Sequence, residues 1–359
     1  MGKQKTIMLL VTYKCNLRCS YCYEPKTKDF RMTVDRAKQI IREQMSSLSD
    51  DYDSVEIQFM GGEPLLEFSL IRKVSEWLWS TDLAKKVLVL FAPTNGTLLD
   101  SEMKAWFSAN NEKIHLGLSF DGDVNMQNIN RSSSYSKVDL SFFATTWPGQ
   151  SVKMTISPET VSKLSDGVAF LHKTGFKYIS ADLAVGPGIQ WSKQSLASYK
   201  KELEKLALFY IENPSLIPFS MFRINIGSIG KRKQDVKTCS CGENMVCVDW
   251  TGKTYACHLF SPVSLPMEKA IRSNLDYNFS DHSQFQNSIC KQCMLNVVCN
   301  HCYGMNYICT GNVCEPSSFH CSAFKILFVA NCKYRLAQAK TRNDTKSIES
   351  IKTVISKIA

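Results

Sequence analysis

Strand-like and helix-like segments alternate strictly along residues 6–211, and this alternation is the feature that most limits the fold. Segments rich in β-branched and apolar residues predict strands at Thr6–Tyr13, Ser54–Met60, Lys86–Ala92, Lys113–Ser119, Ser151–Ile156 and Phe176–Leu183. Helical periodicity predicts helices at Thr33–Leu48, Leu66–Ser80, Asp100–Ala109, Ser157–Thr174 and Ser195–Ile211. Such alternation favours parallel strands joined by right-handed crossovers. Six units are too few for a closed eight-stranded barrel, so the sequence predicts an α/β fold built as a partial (βα)6 barrel.

Unusual polar and glycine-rich motifs follow four of the predicted strands. They are Cys15–Cys22, Gly61–Pro64, Thr94–Thr97 and Ser119–Gly122. In a barrel of parallel strands, the loops after the strands meet at one end and carry the chemistry. We therefore expect these four loops to form one site. Within them, Asn95 is interpreted only as part of an Asn-Gly turn.

The cysteines are placed very unevenly. Of the 15 cysteines in 359 residues, three lie at positions 15, 19 and 22, none lies in 23–238, and twelve lie in 239–332. The sequence shows no export signal and no apolar run long enough to cross a membrane, so a disulfide framework is the less favoured alternative. We expect a cytoplasmic protein in which most thiols bind metal. Half of the net charge of +10 lies in 333–359, which is typical of a solvated helix, and we expect no nucleic acid or membrane partner.

Cys15, Cys19 and Cys22 place three thiols within eight residues. A cubane 4Fe–4S cluster normally takes four cysteine ligands, so three would leave one iron open to the amino and carboxylate groups of a small molecule. Gly61 and Gly62 allow a close backbone approach to a ligand, and their carbonyls can accept hydrogen bonds from an ammonium group. The alternatives are a zinc knuckle without its fourth ligand and three unrelated thiols.

These motifs resemble those of the radical S-adenosylmethionine (SAM) superfamily, whose fold is a partial (βα)6 barrel. The resemblance implies that a 4Fe–4S cluster on the three cysteines binds SAM and cleaves it to a 5′-deoxyadenosyl radical. It further implies that the Tyr21 backbone contacts the adenine and that Ser119 contacts the cofactor, while Arg131 pairs with the SAM carboxylate. The ammonium group would be held by the stretch Gly61, Gly62, Glu63 and Pro64.

The late cysteines are spaced differently from those of a zinc ribbon. Cys290-x2-Cys293 and Cys299-x2-Cys302 are separated by five residues, whereas a ribbon needs about 15 to 20. The region resembles the SPASM extension of radical SAM enzymes, which carries two auxiliary 4Fe–4S clusters and brings the total to three. The implied ligands of the first are Cys241, Cys247, Cys257 and Cys302, and those of the second are Cys290, Cys293, Cys299 and Cys321.

One departure from the SPASM pattern concerns the last cysteine pair. That pair is usually spaced Cys-x3-Cys, so Cys302 is one residue short, and Cys309 or Cys314 could replace it. Cys239, Cys309, Cys314 and Cys332 receive no role and are interpreted mainly as buried inert thiols, with a hydrogen-atom donor or a labile ligand as the alternative.

The sequence predicts three regions and an oxidoreductase. Residues 1–226 form the radical SAM core, 227–335 the SPASM domain behind a charged linker at 227–238, and 336–359 a basic helical tail. The layout is similar to anaerobic sulfatase-maturating enzymes, which form formylglycine. In those enzymes an Asp follows the Gly-x4-Cys cysteine, whereas here the position is His258, a candidate catalytic base. They also usually have Gln before the paired glycines, where this chain has Met60.

The reaction favoured by this layout is oxidative crosslinking of a ribosomally made peptide, through a thioether or a carbon–carbon bond. An external electron donor of flavodoxin or ferredoxin type is expected. Because the chain starts directly with the first strand, a leader-recognition domain is expected to be absent or supplied by a separate protein. Formylglycine formation and peptide epimerisation are the alternative reactions. A cysteine-rich module that only carries electrons or binds zinc is the non-enzymatic alternative, and it leaves the motifs after the strands unexplained.

Overall fold

A computed structural model gives the structure of the chain and describes residues 3–24, 29–229 and 237–356. Positions 230–236 of the predicted linker lie outside the described residues. None of the helices in the described part of the chain combines the length and the hydropathy that a membrane span needs.

All six predicted strands are present, together with two short strands in the cysteine-rich region. The strands are β1 (Gln4–Thr12), β2 (Ser54–Gly61), β3 (Val87–Thr94), β4 (Ile114–Leu118), β5 (Val152–Ile156), β6 (Ile179–Leu183), β7 (Met245–Val248) and β8 (Thr254–Tyr255). The pairs β1–β2, β2–β3, β3–β4 and β5–β6 are parallel. The predicted α/β class with parallel strands is confirmed.

Helices follow the strands and make up most of the C-terminal region. They are α1 (Val34–Ser46), α2 (Phe68–Trp79), α3 (Ser101–Ala109), α4 (Val124–Asn130), α5 (Leu140–Thr146), α6 (Leu164–Lys173), α7 (Lys193–Glu212), α8 (Met267–Asp276), α9 (Ser288–Gln292), α10 (Tyr303–Thr310), α11 (His320–Thr341) and α12 (Thr345–Ser356). Side-chain caps begin several of them: Thr33 accepts from Arg36 N at 3.2 Å and Asp100 from Met103 N at 2.8 Å. The helical C-terminal tail is confirmed.

One predicted helix starts later than its periodicity suggests. The sequence predicts a start at Ser157, whereas α6 begins at Leu164. The Ser157 hydroxyl donates to Asn130 Oδ1 at 2.8 Å, and the Asn130 amide donates to Thr160 Oγ1 at 3.2 Å. These side-chain hydrogen bonds hold the segment as a loop and compete with helix formation.

The chain divides into two compact units, each made of three segments of the chain. The first unit comprises residues 1–119, 134–150 and 239–284, and the second comprises 120–133, 151–238 and 285–359. In the first unit the sheet order is β4-β3-β2-β1-β7-β8, with β7 parallel to β1 and β8 antiparallel to β7. Strand β1 is central and its run from Ile7 to Val11 is buried, as expected for a parallel strand covered on both faces. Part of the cysteine-rich region therefore extends the sheet of the first unit.

The second unit contains β5, β6 and a helical layer in which α11 packs on both α7 and α12. A hydrophobic core in this unit joins the C-terminal helices to the loop between Cys293 and Cys299. Its buried members are Ile226, Leu295, Phe328, Cys332 and Ile351. Leu295 is the member that anchors the cysteine loop, because its carbonyl also accepts from Cys299 N at 2.8 Å.

Truncation of Leu295 is expected to destabilise the second unit. Leu295 is 4% exposed. Truncating a buried leucine side chain to alanine costs about 2–5 kcal/mol of folding free energy, because buried apolar surface is lost and a cavity is left in the core. The free energy of unfolding of Leu295→Ala, measured by denaturant titration of anaerobic protein, should fall by that amount. Leu275→Ala is the matched control, since Leu275 is 79% exposed and its truncation should change stability little. Equal stability of the two variants would contradict the described core.

Candidate active site

The three early cysteines lie on the loop that directly follows β1. Cys22 N donates to Cys19 O at 3.1 Å and closes the turn between them. Leu17 N points at Cys15 Sγ at 3.5 Å, and the Leu17 side chain is buried and anchors the loop. All three thiols are partly exposed. A short loop that presents three accessible thiols, one of them facing a backbone N–H, suits the corner of an iron–sulfur cluster.

The paired glycines after β2 pack against the backbone of this cysteine loop. A Cβ at Gly61 would lie 2.2 Å from Thr12 O, and a Cβ at Gly62 would lie 2.3 Å from Lys14 O and 3.1 Å from Cys15 Cβ. Gly62 N donates to Thr12 O at 3.2 Å. The sequence analysis predicts a close approach to a ligand; the structure shows a close approach to the loop that carries Cys15. Contact of these carbonyls with an ammonium group stays a prediction.

The buried Glu63 side chain links the end of β2 to the end of β3 by hydrogen bonds. Its carboxylate accepts from Leu65 N at 3.0 Å, from Thr94 Oγ1 at 2.8 Å and from Asn95 N at 2.8 Å. A carboxylate that is 1% exposed needs such donors, because burying it without them is costly. The side chain predicted to help hold the cofactor thus orders the loops around that site.

A hydrogen-bond network that the sequence analysis missed joins the loop after β3 to the cysteine loop. Asn95 Nδ2 donates to Asn16 Oδ1 at 2.9 Å, and Asn16 Nδ2 donates to Thr97 Oγ1 at 2.8 Å. Gly96, with φ of +75°, forms the expected turn, yet Asn95 does more than turn the chain. The signal was present in the sequence, because Asn16 lies between Cys15 and Cys19, but only the structure pairs it with Asn95.

His258 lies beside Tyr23, and each follows a candidate cluster ligand in the chain. The Tyr23 hydroxyl and His258 Nε2 are 3.1 Å apart. Two hydroxyl groups hold the His258 backbone, with Ser261 Oγ at 2.6 Å and Ser264 Oγ at 3.1 Å from its carbonyl oxygen. The Nδ1 atom is buried and has no hydrogen-bond partner among the described residues. Burial lowers the pKa of His258 to about 4, so the imidazole is neutral at neutral pH.

The structure gives Arg131 a carboxylate partner within the protein. In the second unit, Arg131 Nε lies 3.1 Å from Asp121 Oδ1, and both side chains are buried. Asp121 also accepts from Thr155 N at 2.9 Å and from Asn130 Nδ2 at 3.2 Å. Asp121 was not singled out in the sequence as a partner of Arg131. Pairing of the guanidinium with the SAM carboxylate stays a prediction.

Ser119 and Tyr21 are placed by the first unit. Ser119 N donates to Thr94 O at 2.8 Å, directly after β4, so the residue lies where the loops after β3 and β4 meet. Tyr21 lies between Cys19 and Cys22 on the cysteine loop and is partly buried. These positions agree with a role around the three thiols, and their contacts with a cofactor remain predictions.

Three late cysteines are buried in the first unit. Cys247 lies on β7 opposite Met8 of β1, and Cys257 follows β8. Burial, together with the charge of the Cys257 thiolate, raises the pKa of the Cys247 thiol well above its usual value. Cys241 pairs with Met245 in an isolated bridge before β7. This arrangement suits three ligands of one cluster, while Cys302, their predicted fourth, belongs to the second unit.

The remaining candidate ligands lie in the second unit. Cys290 is in α9 and Cys293 caps its end, while Cys321 is in the first turn of α11. Cys299 Sγ lies 3.4 Å from His320 Nε2, and burial lowers the pKa of His320. Within the described residues, no three His, Cys, Asp or Glu side chains converge as they would on a single metal ion. A cubane distributes its ligands over four irons and has no such single centre.

Of the cysteines without a predicted role, the structure explains one. Cys332 is fully buried on α11 in the hydrophobic core around Leu295, and burial raises its pKa to about 11. This is an inert core thiol, as the sequence analysis favoured. Cys314 lies near α9, since Asn287 Nδ2 donates to its carbonyl oxygen at 3.3 Å.

Sequence comparisons place the early cysteines in a known domain. Residues 2–135 match the family described as a 4Fe-4S single cluster domain. The chain is 34% identical over 119 residues to the uncharacterized protein MJ0907 of Methanocaldococcus jannaschii, a match that covers 33% of this chain and 39% of that protein. It is 22% identical over 314 residues to the cysteine-type anaerobic sulfatase-maturating enzyme of Clostridium perfringens, covering 78% of this chain and 83% of the relative.

Solved structures show the same fold. Native anSMEcpe with bound AdoMet is similar over 97% of this chain and 99% of its own, with a TM-score of 0.69 and 19% identity. Streptococcus suis SuiB bound to precursor peptide SuiA is similar over 89% of this chain and 76% of its own, with a TM-score of 0.60 and 14% identity. The fold, the three-cysteine loop and the cluster-domain match agree with one another. Over residues 2–135 the chain therefore carries a 4Fe-4S single cluster domain, and its fold is that of native anSMEcpe and SuiB.

Proposed function

We propose that the chain matures a ribosomally made peptide by oxidative crosslinking, forming a thioether or a carbon–carbon bond. Among its structural relatives, anSMEcpe holds AdoMet and SuiB holds the precursor peptide SuiA. The site supports this assignment through the contact of Tyr23 with His258, each of which directly follows a candidate cluster ligand, Cys22 or Cys257, in the chain. An external electron donor, a separate leader-binding protein and a cytoplasmic location complete the proposal.

The first unit supplies the cofactor site in this proposal. Cys15, Cys19 and Cys22 hold a 4Fe–4S cluster, and with SAM bound to it the site supplies a radical that removes hydrogen from the substrate. Tyr21, Gly61, Gly62 and Ser119 contact SAM, while Glu63 and Asn95 keep the surrounding loops in place. Arg131 is assigned to the SAM carboxylate from the family resemblance alone.

Two auxiliary clusters bring the proposed total to three. Cys241, Cys247 and Cys257 of the first unit bind one of them, and Cys302 is its fourth ligand from the resemblance alone. Cys290, Cys293, Cys299 and Cys321 of the second unit bind the other. Iron and sulfide analysis of anaerobically reconstituted protein should find about twelve iron per chain, as three cubanes of four require. A result of about four iron per chain would contradict the two auxiliary clusters. Zinc without iron would contradict the assignment of the chain as an enzyme.

His258 carries the chemical step on the substrate. Its Nε2 faces Tyr23, and its buried Nδ1 has no hydrogen-bond partner among the residues that the structure describes, so Nδ1 is the atom left to hold or take a proton from a substrate group. Anaerobic sulfatase-maturating enzymes have an aspartate at this position. A neutral imidazole in place of a carboxylate changes which substrate group can be oriented, and this difference is the observation that favours crosslinking over formylglycine formation.

Replacing His258 with alanine should lower product formation about 100-fold, within the range of acid–base contributions, while SAM cleavage continues. Tyr23→Phe removes one hydrogen bond and should lower it by up to about tenfold. Both are read from crosslinked peptide and 5′-deoxyadenosine, separated by chromatography and mass spectrometry. Full product yield from the His258→Ala enzyme would exclude His258 from the reaction.

The reaction type is tested with precursor peptides encoded next to the gene. Crosslinking lowers the peptide mass by a pair of hydrogen atoms and blocks thiol alkylation when the bond is a thioether. Epimerisation leaves the mass unchanged but takes up deuterium from heavy water. Peptides that remain unmodified while SAM is cleaved would argue against peptide maturation by this chain.

Formylglycine formation is the second candidate, favoured by the match along 78% of the chain to a sulfatase-maturating enzyme. A sulfatase-derived peptide should then gain an aldehyde that reacts with a hydrazide probe. His258→Asp restores the carboxylate of that family at this position. If the wild-type enzyme forms the aldehyde, the crosslinking proposal is replaced by this one.

A further inference from the structure

A histidine and a candidate cluster ligand touch in the second unit. Cys299 Sγ and His320 Nε2 lie 3.4 Å apart. Both partners are held in place: the His320 ring stacks on Phe324 with centroids 6.3 Å apart, and Cys299 N donates to the carbonyl of buried Leu295. The contact is therefore built into the loop and the start of α11.

The direction of this hydrogen bond follows from the state of the sulfur. A free thiol can donate or accept, but a thiolate bound to iron can only accept, so the N–H must then belong to His320 Nε2. A neutral imidazole carries one ring proton, and this proton on His320 Nε2 is sufficient for the hydrogen bond to the thiolate. The second nearby imidazole is engaged elsewhere, because His301 Nδ1 accepts from the buried Asn306 amide at 2.7 Å.

We propose that His320 donates an N–H···S hydrogen bond to the Cys299 thiolate of the second auxiliary cluster and raises its reduction potential. This inference rests on the proposed ligation by Cys299. Reduction adds negative charge to a cluster, and donors to its sulfurs stabilise that charge, so hydrogen bonds to sulfur are among the factors that set the potential. The hydrogen bond makes this cluster a better electron acceptor than it would be without the donor. His320 acts as a positioning residue, because it affects the cluster through Cys299.

His320→Phe tests the proposal, because it keeps a ring against Phe324 and removes the N–H. Redox titration of the holoenzyme, followed by electron paramagnetic resonance, should show one of the reduction steps at lower potential. A tenfold weaker preference for the reduced state corresponds to about 59 mV in a one-electron couple. The Cys290→Ala holoenzyme, which lacks this cluster, identifies the step that shifts. His320→Gln retains an N–H donor and should restore part of the potential.

His172→Phe is the matched control, since His172 is a partly buried histidine of the same unit whose two ring nitrogens lie within hydrogen-bond distance of Phe176 O and Tyr210 Oη. Its potentials should equal those of the wild type. An unchanged potential in His320→Phe overturns the proposal. Loss of iron from that variant, with strong nitrogen coupling in the wild-type spectrum, overturns it in favour of direct ligation by His320. An iron content of only about four per chain in the wild-type protein overturns the proposal that the chain carries auxiliary clusters.

Discussion

Gly62→Ala is expected to abolish SAM cleavage and to lower the iron content from about twelve to about eight per chain. The added methyl group would stand 2.3 Å from Lys14 O and 3.1 Å from Cys15 Cβ. Neither side can move easily, because Glu63 N donates to Lys14 O at 2.8 Å and the Glu63 carboxylate is held by three donors. Displacing the cysteine loop by about 1 Å is enough to cost about 100-fold in rate.

The measurements are iron per chain and 5′-deoxyadenosine formed under reducing conditions. Gly149→Ala is the matched control, since a Cβ at Gly149 meets nothing within 4 Å, and its iron content and activity should equal those of the wild type. Retention of the auxiliary-cluster spectrum shows that Gly62→Ala is folded. If the variant keeps all of its iron and cleaves SAM at the normal rate, the glycine pair does not shape the cysteine loop.

Cys290→Ala is expected to lose the modified peptide while retaining SAM cleavage. Cys290 lies in α9 of the second unit, and Asn287 caps this helix by accepting from Ile289 N at 2.9 Å. Removing one thiolate ligand should release the second auxiliary cluster and about four iron, whereas the loop of Cys15, Cys19 and Cys22 belongs to the first unit. Product peptide, 5′-deoxyadenosine and iron are measured on the same preparation.

Two further variants serve as controls for this result. Cys22→Ala should lose cleavage and product together, because it removes a ligand of the SAM cluster. Cys332→Ala removes a thiol that is fully buried among apolar side chains, so iron, cleavage and product should all be retained. A Cys290→Ala enzyme that makes normal product would remove Cys290 from the ligands, and equal losses in Cys290→Ala and Cys332→Ala would indicate general destabilisation.

The sheet of the first unit shows which strands the hydrophobic periodicity of the sequence could predict and which it could not. The run from Ile7 to Val11 is apolar throughout, and the predicted strand became the central, fully covered β1. Strands β7 and β8 were not predicted, because segments of four and two residues are too short to show a period. The pairing of β7 with β1 depends on contacts between residues about 240 apart in the chain, which periodicity does not encode.

The loops of the candidate site could be located from the sequence, but the hydrogen bonds that support them could not. Cysteine spacing identified the loop of Cys15, Cys19 and Cys22, and Gly61–Pro64 identified the adjacent turn. The bonds that hold them together join Glu63 to Asn95 and Asn95 to Asn16. A side chain's hydrogen-bond partner depends on which loops meet in space, so only the structure shows that the Glu63 carboxylate accepts hydrogen bonds from the protein.

The sequence by itself determined the α/β class and the position of the three-thiol loop, because strand periodicity and cysteine spacing are local and survive without tertiary contacts. Only the tertiary structure decided that Glu63 braces two strand ends, that Arg131 faces Asp121, and that His258 meets Tyr23. Each of these depends on burial and on partners distant in the chain. Burial makes an unpaired polar group costly, and the folded chain supplies the partner that satisfies it.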